Sequence, residues 1–514
     1  MLPSKPELLS AHSQNVAALL SLDTLGNRAL LKASLLAAGL TDAQSSALCL
    51  TLPPPRPSQW PLRKKLTVLL GPYLAAALAA YSAGAYALAG APLRAAWHVS
   101  ETAYAVGISL FVSAFGFAPM VLAPVSETHG RYWVFVGAGA VFFLGTLGCA
   151  VTAGYAGMLV SRFVTGIGAS VFATLTGGVV ADVYDREARN TPMALYSLMI
   201  MAGTGLGPLV SGVVVDALGW RWIFYLQMML IAATSALILV LFEETRANVV
   251  LARLCHALNK QLAETHPASR LRFHPSVVQE TLDIGLVYRS FVFPLRLLVA
   301  EPVVLCFSLW VSFAWAILYM QFNSIGIVFR GVYGFSSRQV GLVFVAVVAA
   351  SCLSACLAIT QGPVLRRLWP HRAASTTPES RLLSTSVQSV LLPAGLFWFG
   401  WTARPEVHWI FPALAVGACT MGIFSIYLAV FNYLADTYGR YSSSAQAAQS
   451  MCRNLLAGIF PLFTHIMLRN LTYHGTGSLL GGLGLALTAV PWLLSFFGPH
   501  IRARSPFSKT VMEE

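Results

Sequence analysis

The chain of 514 residues is 56% apolar and 10% charged, with 33 Lys plus Arg against 20 Asp plus Glu and a formal net charge of +13. Soluble domains carry about 25% charged residues, so this deficit excludes most soluble enzymes and places the chain in lipid. The basic excess is spread along the chain rather than gathered in long runs, which argues against nucleic acid as its partner.

Residues 1–65 read as a cytoplasmic tail, largely disordered. They lack the basic start, apolar core and small-residue cleavage site of a secretory signal. Apolar clusters such as Leu8, Leu9, Leu19 and Leu20 suit a short amphipathic helix, and Pro53, Pro54, Pro55 and Pro57 then impose an extended linker. A tether accounts for this segment better than a regulatory element does.

The apolar residues beyond it fall into blocks of at least ~20, the length that crosses about 30 Å of hydrocarbon. They predict twelve spans: 66–89, 101–124, 132–153, 156–181, 192–217 and 221–242, then 299–329, 337–361, 384–402, 407–435, 441–468 and 477–499. The fold class is therefore an all-α membrane protein with one six-helix half over 66–243 and another over 299–499. A cytoplasmic loop at 244–298 joins them, and a short cytoplasmic tail at 500–514 follows.

With the N-terminus inside, Arg94, Arg221, Arg330, Arg338, Arg404 and Arg469 fall outside, and Arg162 and Arg453 fall within spans. The other 25 of the 33 basic residues are then cytoplasmic, as the positive-inside rule requires. Cys149, Cys306, Cys352, Cys356, Cys419 and Cys452 sit in apolar spans and read as small buried hydrophobes. Cys352 and Cys356 share a helix face but lack the flanking His or carboxylate that a metal site wants, so no metal or cofactor is expected. Asn470 opens a glycosylation sequon on an outer loop too short to favour occupancy.

Three clusters carry chemistry. Ala123-Pro124-Val125-Ser126-Glu127-Thr128-His129-Gly130-Arg131 makes a tight, charged turn between spans 2 and 3, where Gly130 permits the turn. In span 4, Met158-Leu159-Val160-Ser161-Arg162-Phe163-Val164-Thr165-Gly166-Ile167-Gly168-Ala169 places Arg162 inside the membrane, about 9 Å from its outer end. In span 5, Gly203, Gly207 and Gly212 allow another backbone to approach, and Pro208 removes a helix hydrogen bond.

These clusters resemble three signatures of the major facilitator superfamily. The turn is similar to Gly-x-x-x-Asp-Arg-x-Gly-Arg, with Ala123, Glu127 and Thr128 as departures. Span 4 resembles Arg-x-x-Gln-Gly-x-Gly, with Thr165 in place of Gln. Span 5 resembles the antiporter signature Gly-x-x-x-Gly-Pro-x-x-Gly-Gly, from which Ser211 departs. Stretches including Trp220-Arg221-Trp222-Ile223-Phe224-Tyr225, Glu243-Glu244-Thr245-Arg246 and Phe431-Asn432-Tyr433-Leu434-Ala435-Asp436 look like the twelve-span fungal drug:proton antiporter branch. That branch includes multidrug, polyamine and toxin exporters. The resemblance implies a plasma-membrane efflux carrier of two pseudo-symmetric halves, with a small molecule and protons as ligands and both termini cytoplasmic. Within the sequence, Pro208 in span 5 and Pro461 in span 11 are the visible trace of that repeat.

No carboxylate stands near the midplane. Glu101 and Asp216 fall at outer ends, and Glu127, Asp182, Glu301 and Asp436 at cytoplasmic ends. Asn323 stands where relatives often resemble Phe-Glu-x-x-Pro-Ile-Val-Phe, and without charge there a desolvated polycation lacks its partner. Arg453 lies about 18 Å into span 11, too deep to snorkel, so it faces the interior. It either meets substrate or senses the proton, or it is locked to carbonyls and to Asn432 or Asn454 as scaffold. Trp315, Tyr319, Gln321 and Asn323 offer stacking and neutral hydrogen bonds to an amphipathic ligand, or they pack. Glu127 is a candidate cytoplasmic latch with Arg186 or with the start of span 11, and Asp182 belongs to the same candidate set.

The reading that follows is a monomeric, proton-coupled exporter of neutral or anionic amphipathic organics, such as antifungals or a fungal metabolite. Its rivals are polyamine export or nutrient uptake on the same fold, and a non-transporting sensor. A membrane enzyme is disfavoured, because no nucleophile triad, metal spacing or phosphate loop appears on a common face.

Overall fold

The computed structural model describes residues 17–20, 57–185, 188–265, 272–275, 284–368, 386–438 and 442–504. Ten helices among these residues are long and apolar enough to cross a membrane. One of them, Ser444–Leu494, folds back on itself and makes two crossings, and the shorter helix Leu391–Thr402 brings the total among the described residues to twelve. Spans 1 to 6 are Leu62–Leu88, Glu101–Thr128, Arg131–Val151, Tyr155–Val183, Asn190–Leu218 and Arg221–Leu241. Span 7 is Pro302–Tyr333; span 8 comprises Ser337–Val343 and Val345–Leu368, and span 10 is Ile410–Tyr438.

Span 9 contains Leu391–Thr402, only 12 residues long, preceded by a helical turn at 386–389. Spans 11 and 12 form a continuous run, Ser442–Arg504, broken at Thr472, whose φ of 62° and ψ of 174° are not helical. The chain reverses there: Thr476 Oγ1 lies 3.4 Å from the Met467 carbonyl, though nine residues of straight helix would separate them by about 13 Å. Asn470, two residues before the break, is exposed.

Three features differ from the sequence expectation. The central loop expected at 244–298 carries helices Ala247–Thr265 and Ile284–Ala300, and span 7 begins only at Pro302. Pro302 suits a first helical turn, whose N–H groups lack intrahelical partners anyway, which fixes the boundary. Ala17–Leu20 of the tail also pairs in parallel with Arg272–Pro275 of that loop. Cys352 and Cys356, expected to be buried, are exposed on span 8, where lipid would cover them.

Small residues bring the helices together. A Cβ at Gly203 would meet the Ala77 carbonyl at 2.4 Å, at Gly207 the Tyr81 carbonyl at 2.4 Å, and at Gly166 the Phe111 carbonyl at 2.4 Å. Spans 1 and 5, and spans 2 and 4, thus touch backbone to backbone, which is how membrane helices gain dispersion energy without a hydrophobic drive. Pro208 packs on Gly84 of span 1 and offers its carbonyl toward Gly341 of span 8. Gly212 faces the Ser337 carbonyl, so the span 5 motif also joins the two halves.

Candidate functional site

Span 4 turns Arg162 into the first half, where it is 1% exposed. Its Nη1 donates to the Ser82 carbonyl of span 1 at 3.1 Å and its Nε reaches toward the Gly107 carbonyl of span 2 at 3.4 Å. The guanidinium lies 4.6 Å from the Tyr86 ring and 4.2 Å from the Phe111 ring. Its Nη2 has no hydrogen-bond partner.

Arg453 of span 11 is the counterpart in the second half, 2% exposed. It lies 4.5 Å from the Trp315 ring and 5.2 Å from the Tyr427 ring, and those two rings stack at 4.9 Å. Nη2 donates to Ser450 Oγ at 3.3 Å, but Nε and Nη1 have no partner. Neither arginine is paired with a carboxylate among the described residues. Tyr319, one turn along span 7 from Trp315 and 4% exposed, feels the charge of both guanidinium groups. The midplane is therefore two buried cations, each on an aromatic pair, with a tyrosine between them. An uncompensated buried cation is costly, and aromatic faces offset only ~0.5–2 kcal/mol of that cost.

The other expected cavity residues separate. Asn454 donates to the Phe115 carbonyl at 3.1 Å and to Ser450 Oγ at 3.3 Å, so it ties span 11 to span 2. Neither Asn454 nor Asn432, which is half-buried, holds Arg453. Gln321 packs beside Cys419 of span 10, inside the second half. Asn323 shares a helix face with Tyr319 but stands about 6 Å further out, in a separate outer cavity of about 330 Å³. That cavity is also lined by Arg94, Glu101, Arg330 and His465.

At the turn between spans 2 and 3, Gly130 has a φ of 98°, a left-handed conformation that favours glycine. A Cβ there would strike the Glu244 carboxylate. Glu244 accepts from the backbone N–H groups of Arg131 at 3.0 Å and Tyr132 at 3.3 Å, satisfying donors at the start of span 3, and from that of Arg246 at 2.9 Å. Arg131 itself is 4% exposed and its Nε donates to Asp182 Oδ2 at 2.5 Å, and Arg246 Nη1 stands 3.5 Å from Asp182 Oδ1.

Glu127 lies 4.0 Å from Arg246 Nη2, and Tyr441 at the start of span 11 lies outside the described residues. Arg186, its other expected partner, lies outside the described residues. The Glu127 and Arg246 side chains are 37% and 29% exposed, so the pair is well solvated. Glu127→Gln is therefore expected to change stability by no more than ~1 kcal/mol. A larger drop in a thermal unfolding measurement would show that this pair holds the turn closed.

Sequence reasoning passed over Glu244 and Arg246 as site residues. Their signal was the charge cluster Glu243-Glu244-Thr245-Arg246 directly after an apolar span. It also missed Tyr86, Phe111 and Tyr427, whose aromatic character is common to most spans and marks nothing by itself.

The profile of the Major Facilitator Superfamily matches residues 73–461. Fluconazole resistance protein 1 of Saccharomyces cerevisiae is 32% identical over 467 residues, covering 89% of this chain and 83% of that protein. The citrinin biosynthesis cluster MFS transporter mrr1 of Monascus ruber is 30% identical, covering 88% and 90% respectively. Efflux pump FUBT of Fusarium oxysporum is 31% identical, covering 87% and 75%. Among solved structures, a POT family transporter in complex with 5-aminolevulinic acid superposes with a TM-score of 0.62 at 12% identity, covering 87% of this chain and 99% of that one. The xylose transporter XylE from E. coli, in a partially occluded inward open conformation, gives 0.57 at 14% identity, covering 83% and 98%. These structures share the fold of two six-helix halves. The glycine contacts of span 5, the buried Arg162 of span 4 and the Gly130–Arg131 turn stand where the superfamily signatures lie, and the chain belongs to the major facilitator superfamily, a family of membrane transporters and not of enzymes.

Proposed function

We propose that this protein is a proton-coupled exporter of small amphipathic organic compounds, neutral or anionic, working by alternating access of its two halves. Kinship with fungal proteins named for drug resistance, efflux and metabolite clusters supports the direction of transport. The observation that carries the substrate class is Arg453: a guanidinium 2% exposed, on the Trp315 and Tyr427 rings, with two nitrogens lacking partners and no carboxylate at hand. A carbonyl, enolate or carboxylate on an apolar ring system would satisfy those donors and stack on the same aromatics. A cationic substrate would meet two like charges instead.

On this reading the carrier is a monomer in the plasma membrane with both termini cytoplasmic. The tail at 1–65, the halves at 66–243 and 299–499, the loop at 244–298 and the tail at 500–514 are its working parts. Trp315, Tyr319 and Arg453 meet the substrate, with Asn432 and Gln321 behind them. Arg162, Gly166, Gly203, Gly207, Pro208 and Gly212 transmit the motion, and Glu127, Gly130, Arg131, Asp182 and Arg186 close the cytoplasmic side.

The test is efflux from cells expressing the chain, using size-matched anionic, neutral and cationic fluorescent compounds with and without an uncoupler. Faster loss of the anionic or neutral compounds, abolished by the uncoupler, is the expected result. Loss of the cations alone would overturn the substrate class, and loss indifferent to the uncoupler would overturn proton coupling.

A further inference from the structure

The outer cavity lies between the halves, and its wall contains a contact that joins them. Glu101 opens span 2 and His465 sits in the outer half of span 11, with Nε2 3.0 Å from Glu101 Oε2. The other carboxylate oxygen, Oε1, accepts from Arg94 Nη1 at 2.5 Å. Oε2 is buried and makes no hydrogen bond, so its approach to the imidazole is a contact of charge.

A buried carboxylate oxygen without a hydrogen bond is costly, the more so when it is ionised. An imidazolium at 3.0 Å offsets that cost, whereas a neutral imidazole presenting a lone pair would add to it. His465 is itself 43% exposed at the side chain, so external water reaches it. The remaining charged groups facing this wall are Arg94, Arg330 and, near Arg330, Asp216; Arg469 follows His465 by one turn on the same helix. Arg330 is engaged with Ser337 Oγ at 3.0 Å and Asp216 with the Arg338 backbone N–H at 3.0 Å. Among these groups imidazole is the side chain that ordinarily titrates near neutrality, at about 6.5.

We propose that His465 is an external proton-binding site whose charged form, paired with Glu101 across the two halves, holds the outer side of the carrier closed. The proton comes from external water onto a ring nitrogen and returns to external water when the halves part, so the site sets how external acidity biases the carrier and does not itself move a proton across. The sign follows from linkage. An imidazolium meets the Glu101 carboxylate at 3.0 Å only when the halves are joined here, so acid favours closure and a rise in pH weakens it. One proton shifts the open–closed equilibrium by at most about tenfold per pH unit.

The test needs no substrate. Hydrogen–deuterium exchange of the full-length protein in lipid nanodiscs would be followed at pH 5.5 and 7.5, with labelling times scaled for intrinsic chemical exchange. The peptides to follow cover residues 94–104 and 461–472. Slower exchange of both at pH 5.5 is expected in the wild type, and His465→Gln and Glu101→Gln should each erase that difference. Asp216→Asn should retain it. An identical pH response in folded His465→Gln, or none in the wild type, would overturn the proposal while leaving the export reading untouched. Unchanged protection across span 4 in each variant is the control for folding.

Discussion

Replacing Arg453 with Ala is expected to abolish export while the protein still reaches the membrane. The side chain supplies unpartnered donors beside stacked Trp315 and Tyr427, and its removal takes away one of the two positive charges at the midplane. Folding should survive, because the arginine makes one side-chain hydrogen bond, to Ser450 on its own helix, and an uncompensated buried cation is a burden to the fold. The measurement is efflux of the anionic probe alongside surface abundance of the protein. Arg453→Lys separates charge from shape: it keeps the cation but loses the planar fork and its ring stacking, so partial activity is the expected result. Normal efflux by Arg453→Ala would assign the residue to packing.

The second large effect is expected at the turn between spans 2 and 3, and on stability first. Arg131 is buried between Asp182 and the carboxylate that caps its own helix, so Arg131→Met leaves Asp182 with only the more exposed Arg246 at 3.5 Å. Breaking a buried ion pair by removing one partner costs about 3–5 kcal/mol, because the other charge stays buried without full compensation. A marked fall in the thermal unfolding midpoint of the purified protein would register it. The double variant Arg131→Met, Asp182→Asn should recover part of the loss, since it removes the stranded charge as well. A double variant as unstable as the single one would show that Arg131 works through packing rather than through the pair.

The membrane class, the number of crossings and the division into halves were legible in the sequence, because hydrocarbon thickness imposes a length on every apolar block. The depth of Arg162 and Arg453 was legible too, since helical rise converts residue number into distance. The partners of those arginines were not. Arg162 meets Ser82 and Gly107, and Arg453 meets Trp315 and Tyr427, contacts separated by up to 138 residues between Trp315 and Arg453. No local spacing encodes them, because which helix faces which is set by backbone approach at Gly166, Gly203 and Gly207.

Asn323 illustrates the limit. Its spacing from Tyr319 correctly puts both on one face of span 7, yet one turn of rise carries Asn323 out of the midplane and into the outer cavity. Similarly, Glu101 reads as a carboxylate at a helix end and nothing in the sequence marks His465, and only the docking of span 2 on span 11 sets them 3.0 Å apart. The sequence by itself determined that this chain crosses the membrane twelve times as two halves with buried arginines. The tertiary structure decided which charges stand alone and which are paired, because charge compensation depends on distances between helices that chain order does not fix.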